Sequence, residues 1–101
     1  MVKPHEISYH YNNDKFCHGG NIMKAEYADQ YQQIGLKIAY YRKRRGLTQE
    51  QLAERLGMSA AYIGHVEAPN IAKAVSLDTL FDIAQILDVP AYKFLLFDEA
   101  L

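Results

Sequence analysis

Residues 48–68, TQEQLAERLGMSAAYIGHVEA, predict two short helices joined by a tight turn, and the rest of the fold can be predicted outward from them. Thr48 is a good N-cap, and Gln51 follows three residues later, as in a capping box. Gly57 tolerates the positive φ that a sharp helix stop requires, and Ser59 can cap the next helix. The inward faces carry apolar residues at helical spacing: Leu52, Ala53 and Leu56, then Ile63 and Val66. Helices this short are marginal alone, so the unit must pack on other parts of the chain.

Further helices are predicted on both sides of this unit. Residues 29–45 carry Ile34, Ile38 and Tyr41 on one face, and Gly46 ends that helix. A fourth helix begins after Ser76, and Pro90 suits the first turn of a fifth helix over residues 91 to about 97. The inner face of the fourth helix is Leu77, Leu80, Ile83, Ala84 and Leu87. We expect an all-α domain of five helices over residues 30–101.

Three pieces of the sequence resemble the Cro/repressor-type helix-turn-helix domain, also called the Xre family. In chain order they are IGLKIAYYRKRRGLTQEQLAERLGMS, YIGHVE and SLDTLFDIAQILDV, between Ile34 and Phe97. The resemblance implies a lambda-repressor-like fold that places its third helix in the major groove of DNA. It therefore implies a sequence-specific transcriptional regulator, in particular a repressor that binds operator DNA as a homodimer.

The outward face of the third helix, here called the reading face, is small and nearly bare. On a helical wheel five residues lie opposite Ile63 and Val66, namely Ala60, Ala61, Gly64, His65 and Ala68, and the first four of them make up the reading face. An undifferentiated solvent face is the alternative, but such faces usually carry Lys, Glu or Gln, whereas small residues let a backbone approach DNA. The resemblance assigns base reading to these four positions and sugar-phosphate contacts to Gln49, Ser59 and Tyr62. Only His65 has a side chain that can hydrogen-bond a base edge, so we expect it to dominate specificity.

A basic cluster, Arg42–Lys43–Arg44–Arg45, ends the first helix. It complements the helix dipole, and we also expect Lys43, Arg44 and Arg45 to contact phosphates. The resemblance gives Arg42 a different role, as the partner of Glu67 in an internal ion pair. A planar guanidinium suits such a bidentate contact.

The sequence departs from the family pattern at three places. Gly64 stands where serine is usual, at a cost in helix propensity of about 1 kcal/mol relative to alanine. Pro69 stands where glycine is usual, so the third helix must end without a positive φ there. The loop NIAKAV, residues 70–75, carries only Lys73 as a cation for a phosphate contact.

Composition limits the possible classes. The chain has 101 residues, enough for one small domain, and a formal net charge of −1. That balance counts against strong nucleic-acid binding. The single Cys17 excludes an internal disulfide and suits the cytoplasm, and no apolar run is long enough to span a membrane. We find no catalytic constellation and no spacing that suits a metal or another cofactor, so we do not expect an enzyme.

Residues 1–29 are predicted to be an irregular N-terminal extension, with a short extended piece over residues 8–11 as the alternative. The histidines and Cys17 there match no zinc spacing. Gly19 and Gly20 can be encoded by a purine-rich sequence resembling a ribosome-binding site just before Met23. Met23 is then the natural start, or else the glycines form an ordinary loop; the mass of the native N-terminal peptide distinguishes the two.

The C-terminal helices carry more apolar residues than one core needs. Phe94 and Leu95 can complete the core, whereas the remaining residues suggest a dimer interface. These residues, here called the apolar surface, are Phe81, Ile86, Leu96 and Phe97. The alternative function is a protein-interaction module on the same scaffold, such as an antitoxin or anti-repressor, which binds a protein partner through this surface.

Overall fold

The computed structural model describes residues 15–18 and 21–97. Two short strands come first, followed by four α-helices, and a 3-10 turn precedes the first helix. The elements are β1 (Lys15–His18), β2 (Asn21–Lys24), the turn Ala25–Tyr27, α1 (Ala28–Arg44), α2 (Gln49–Leu56), α3 (Ala60–Glu67), α4 (Leu77–Leu87) and a 3-10 segment (Ala91–Leu95). The predicted all-α, helix-turn-helix class is confirmed.

The caps of α2 and α3 form as predicted. The backbone N–H of Gln51 donates to the Thr48 hydroxyl at 3.0 Å, and the Thr48 N–H donates to Gln51 Oε1 at 2.9 Å. Gly57 ends α2 with a φ of +71°. The Ser59 hydroxyl caps α3 by accepting from the Tyr62 N–H at 3.1 Å. Since Ala68 precedes a proline, α3 ends on an extended residue with a φ of −67° and a ψ of 130°.

The core lies where the helices meet. Its fully buried side chains are Ile38, Leu52, Ile63, Val66, Leu80, Ile83, Leu87 and Phe94. Tyr41 packs edge-on against Phe94, with 5.5 Å between ring centroids. Leu77 was predicted to face inward, but its side chain is 60% exposed at the first position of α4. The remaining inner-face residues of α4 are buried as predicted.

The predicted fifth α-helix is instead the 3-10 segment Ala91–Leu95. The backbone N–H of Lys93 donates to the Pro90 carbonyl at 3.0 Å, which is the three-residue spacing of a 3-10 turn. This tight geometry directs Phe94 fully into the core and leaves Leu95 41% exposed. Phe94 therefore completes the core and Leu95 does not.

Part of the predicted irregular extension is ordered. β1 and β2 pair antiparallel, with Lys15 opposite Lys24 and His18 opposite Asn21. Met23 is buried, which anchors β2, because an isolated two-stranded hairpin is marginally stable at best. The alternative extended piece at residues 8–11 lies outside the described residues.

Gly35 allows α1 and α3 to approach closely. A Cβ atom at this position would lie 1.8 Å from the carbonyl oxygen of Val66, far inside van der Waals contact. The role of Gly35 was not predicted from the sequence. The position of α3 thus depends on a glycine in the middle of α1.

Candidate nucleic-acid interface

Most of the reading face of α3 points away from the core, but Ala60, which was predicted to face outward, is partly buried and packs against the core. Ile63 and Val66 are fully buried beneath it, whereas Ala61 and His65 are exposed and Ala60 and Gly64 are half-buried. The face thus presents methyl groups, bare backbone and one imidazole. Such a surface can lie close to a flat or grooved partner.

Arg42 and Glu67 join α1 to the end of α3. Arg42 Nε donates to Glu67 Oε2 at 2.7 Å and Arg42 Nη2 donates to Oε1 at 2.8 Å, while Nη1 donates to the Leu47 carbonyl at 2.7 Å. Both residues are buried. The hydrogen bond to Glu67 raises the pKa of Arg42 above its usual value. Arg42 and Glu67 therefore hold α3 in place and are turned away from any external partner.

Gln49 extends this network to α2. Its Nε2 donates to Glu67 Oε1 at 3.0 Å, so α1, α2 and α3 meet at one carboxylate. The Gln49 Oε1 lies 3.7 Å from where a Cβ of Gly64 would be. The amide therefore borders the reading face.

The side chains of the basic cluster have different surroundings and different partners. Lys43 is exposed, and Arg44 Nη1 donates to the Tyr40 hydroxyl at 3.1 Å. Arg45 turns toward α4, where Nε donates to the Leu87 carbonyl at 2.6 Å and Nη2 donates to Asp88 Oδ2 at 2.7 Å. The free carbonyls at a helix C-terminus attract a cation, so the prediction of a phosphate contact fits Arg45 poorly.

Lys73, which was predicted to contact a phosphate, is buried. The residue is only 4% exposed, and its ammonium lies 5.6 Å from the centroid of the Tyr62 ring. A side chain buried against an aromatic ring is poorly placed to reach a phosphate.

Burial raises the pKa of Tyr62, so its hydroxyl remains protonated near neutral pH and can donate a hydrogen bond.

The four residues of the apolar surface differ in exposure. Phe81 is 50% exposed, while Ile86, Leu96 and Phe97 are partly buried, with Ile86 and Phe97 packed against the core. A groove of about 410 Å³ adjoins Phe81 and is also lined by Ala84, Gln85, Asp88, Val89, Pro90 and Ala91. Two further apolar side chains nearby are exposed and were not predicted from the sequence: Leu77, one helical turn before Phe81, and Tyr92. Leu77 was missed because its spacing matches the inner face.

Within residues 15–18 and 21–97 there is no group of three or more His, Cys, Asp or Glu residues placed to hold a metal ion. The helices of this part of the chain are also too short or too polar to cross a membrane.

Residues 38–94 match a family model described as helix-turn-helix, HTH_3. The chain belongs to this helix-turn-helix family. The match begins inside α1 and ends at Phe94, so the matched residues include the Arg42–Glu67 pair, the reading face and the buried Phe94 ring. No match was found among curated proteins.

Solved structures of regulators resemble this helix-turn-helix domain. The master regulator for biofilm formation SinR, in complex with DNA, is 32% identical with a TM-score of 0.56; the alignment covers 61% of this chain and 97% of that chain. The N-terminal DNA-binding domain of SinR from Bacillus subtilis is 29% identical, with a TM-score of 0.60 and coverages of 68% and 99%. The restriction-modification controller protein C.AhdI from Aeromonas hydrophila is 32% identical, with a TM-score of 0.58 and coverages of 67% and 98%.

Proposed function

We propose that this protein is a transcriptional regulator, acting as a repressor, that binds operator DNA in the cytoplasm as a homodimer with α3 in the major groove. The observation that carries the proposal is the reading face, which is small, outward and backed by a buried ion pair. Small residues permit a close approach of the helix backbone, and alanine methyls can contact thymine methyls. The DNA complex of the similar SinR structure supports the same use of the domain.

The proposed contacts fall into two groups. Base edges are read from Ala60, Ala61, Gly64 and His65, and His65 supplies a directed hydrogen bond. Phosphates are contacted by Lys43 and Arg44 and by groups at the starts of α2 and α3, namely Gln49, Ser59 and Tyr62. Phosphate contacts orient the protein on the duplex without reading sequence.

Selection of bound sequences from random duplex DNA, at two salt concentrations, tests this function. The wild-type protein should enrich one sequence family, and His65→Ala should lose preference at one base pair per half-site. The fold should persist, because His65 is exposed. A matched control is Glu54→Ala, which changes an exposed residue of α2 outside the proposed contacts. Enrichment of no sequence by the wild-type protein would contradict the proposal.

A second candidate is a protein-interaction module, such as an antitoxin or anti-repressor. Two predicted phosphate contacts are compromised, since Lys73 is buried and Arg45 is paired with Asp88. The exposed Phe81 and its groove offer an apolar site for a partner. One similar structure is a complex of SinR with another protein, SinI. Two results together would favour the protein-interaction module. DNA binding would be weak for every sequence and nearly independent of salt, as expected with few phosphate contacts, and a protein partner would bind tightly.

A further inference from the structure

We propose that Gln49, on α2, is a second base-reading residue, and that the missing side chain of Gly64 exposes its amide to the DNA. This inference rests on the proposed function and changes one part of it, because sequence analysis placed Gln49 on the sugar-phosphate backbone. The reading face would then use a hydrogen-bonding group from each of the two helices of the motif.

The orientation of the Gln49 amide follows from its partner. Both carboxylate oxygens of Glu67 accept hydrogen bonds from Arg42, so the Gln49 group that faces Oε1 at 3.0 Å is the donor end of the amide, the NH₂. The carbonyl oxygen is therefore the end that lies beside Gly64. Glu67 is itself held by two hydrogen bonds from Arg42, at 2.7 and 2.8 Å. The amide is thus fixed in one orientation before any DNA arrives.

Gly64 places no side chain over that oxygen. Only Gln49 Oε1, at 3.7 Å, lies near the position that a Cβ of Gly64 would occupy, and that position belongs to the reading face. Any side chain longer than a methyl group would lie over the amide. Glycine has a lower helix propensity than alanine and therefore destabilises α3. In this proposal the destabilisation is offset by a Gln49 amide that no side chain covers.

The Gln49 atom beside Gly64 is an acceptor, so the group that it contacts must be a donor. A phosphate oxygen also only accepts hydrogen bonds, so it cannot pair with Gln49 Oε1, and a phosphate contact would have to use the second N–H of Nε2. The Glu67 carboxylate next to the amide further disfavours an anion. In the major groove the complementary donors are the amino groups of adenine N6 and cytosine N4. Gln49 should therefore select an adenine or a cytosine at one position of each half-site.

Selection from random duplex DNA with three variants tests the assignment. Gln49→Met keeps the length of the side chain but removes the amide, and should reduce preference at one base pair per half-site roughly fivefold to tenfold. Gly64→Leu should lose preference at the same base pair, because its side chain covers the amide. Gly64→Ala should keep it, since a methyl group fits in ordinary contact. Gln32→Met is the matched control on α1, and thermal unfolding checks that each variant folds.

The outcomes separate this inference from the proposed function. If the wild-type protein enriches a sequence and Gln49→Met keeps every base preference, Gln49 does not read bases, and the regulator assignment stands. Equal weakening of all sequences by Gln49→Met would make Gln49 a phosphate contact and overturn the inference. If the wild-type protein enriches no sequence, both the function and this assignment fail.

Discussion

The side of the molecule that carries the reading face and the side that carries the apolar surface are built differently. Three contacts hold α3 in place: the Arg42–Glu67 ion pair, the hydrogen bond from Gln49 to Glu67, and the close approach of Gly35 to Val66. At α4 and the 3-10 segment, Phe81 and Leu77 are half or more exposed, beside an open groove. The first side is held in place by buried polar contacts, as expected for a surface that must present fixed groups. The second is apolar and suits association with another protein surface.

The largest expected effect comes from breaking the buried ion pair. Arg42→Met should lower the free energy of unfolding by about 3–5 kcal/mol, because Glu67 is left as a buried carboxylate without its cation. Arg45→Met is the control, since its pair with Asp88 is exposed, and should cost less than about 1 kcal/mol. Urea denaturation measures both values. Equal losses would mean that the Arg42–Glu67 pair does not hold α3 more firmly than a surface pair.

Overfilling the contact between α1 and α3 should have the next largest effect. Gly35→Ala should cost about 3 kcal/mol, because the added methyl group meets the backbone oxygen of Val66 and the helices must separate. Gly46→Ala is the control, with open space around it and only the strain of its positive φ, at about 1–2 kcal/mol. Thermal denaturation compares them. A Gly35→Ala protein as stable as the wild type would show that this close contact is not needed to place α3.

On the side that carries the apolar surface, replacing Phe81 with a charged residue should weaken self-association more than it lowers the stability of the fold. Phe81→Asp should weaken self-association roughly tenfold or more, since a carboxylate would be buried without a partner in the proposed interface. Leu36→Asp on α1 is the matched control, because Leu36 is exposed to nearly the same extent, 47% against 50%. Analytical ultracentrifugation distinguishes dimer from monomer. Wild-type protein that is monomeric both alone and on DNA would refute the interface.

The smallest effect concerns the boundary between the two sides, where the basic cluster ends α1. Lys43→Ala should weaken binding to all DNA sequences about equally and reduce the slope of log K against log salt by about 0.9. Arg45→Ala should leave the slope nearly unchanged, because its guanidinium is already paired with Asp88. Titrations at several salt concentrations measure both slopes. A changed base preference in Lys43→Ala would mean that Lys43 reads bases.

Local signals made most of the fold predictable from the sequence. Caps and helix stops depend on residues within one or two turns of each other, as in the Thr48–Gln51 capping box and the positive φ of Gly57. Apolar spacing correctly identified the buried faces of α1, α2 and α3 for the same reason. The prediction of an α-helix at residues 91–97 was wrong because a segment of a few residues can form either helix type, and the packing of Phe94 decides between them.

The helices, their order and the outward face of α3 thus follow from local sequence signals. The exposure of the charged side chains depends instead on tertiary packing, because Arg45 meets α4 and Lys73 is buried against Tyr62. The same packing brings Gly35 against Val66, and the Gln49 amide beside Gly64. These contacts join residues far apart in the chain, and no periodic pattern encodes them. They depend on how the helices cross, which is settled only when the whole core packs.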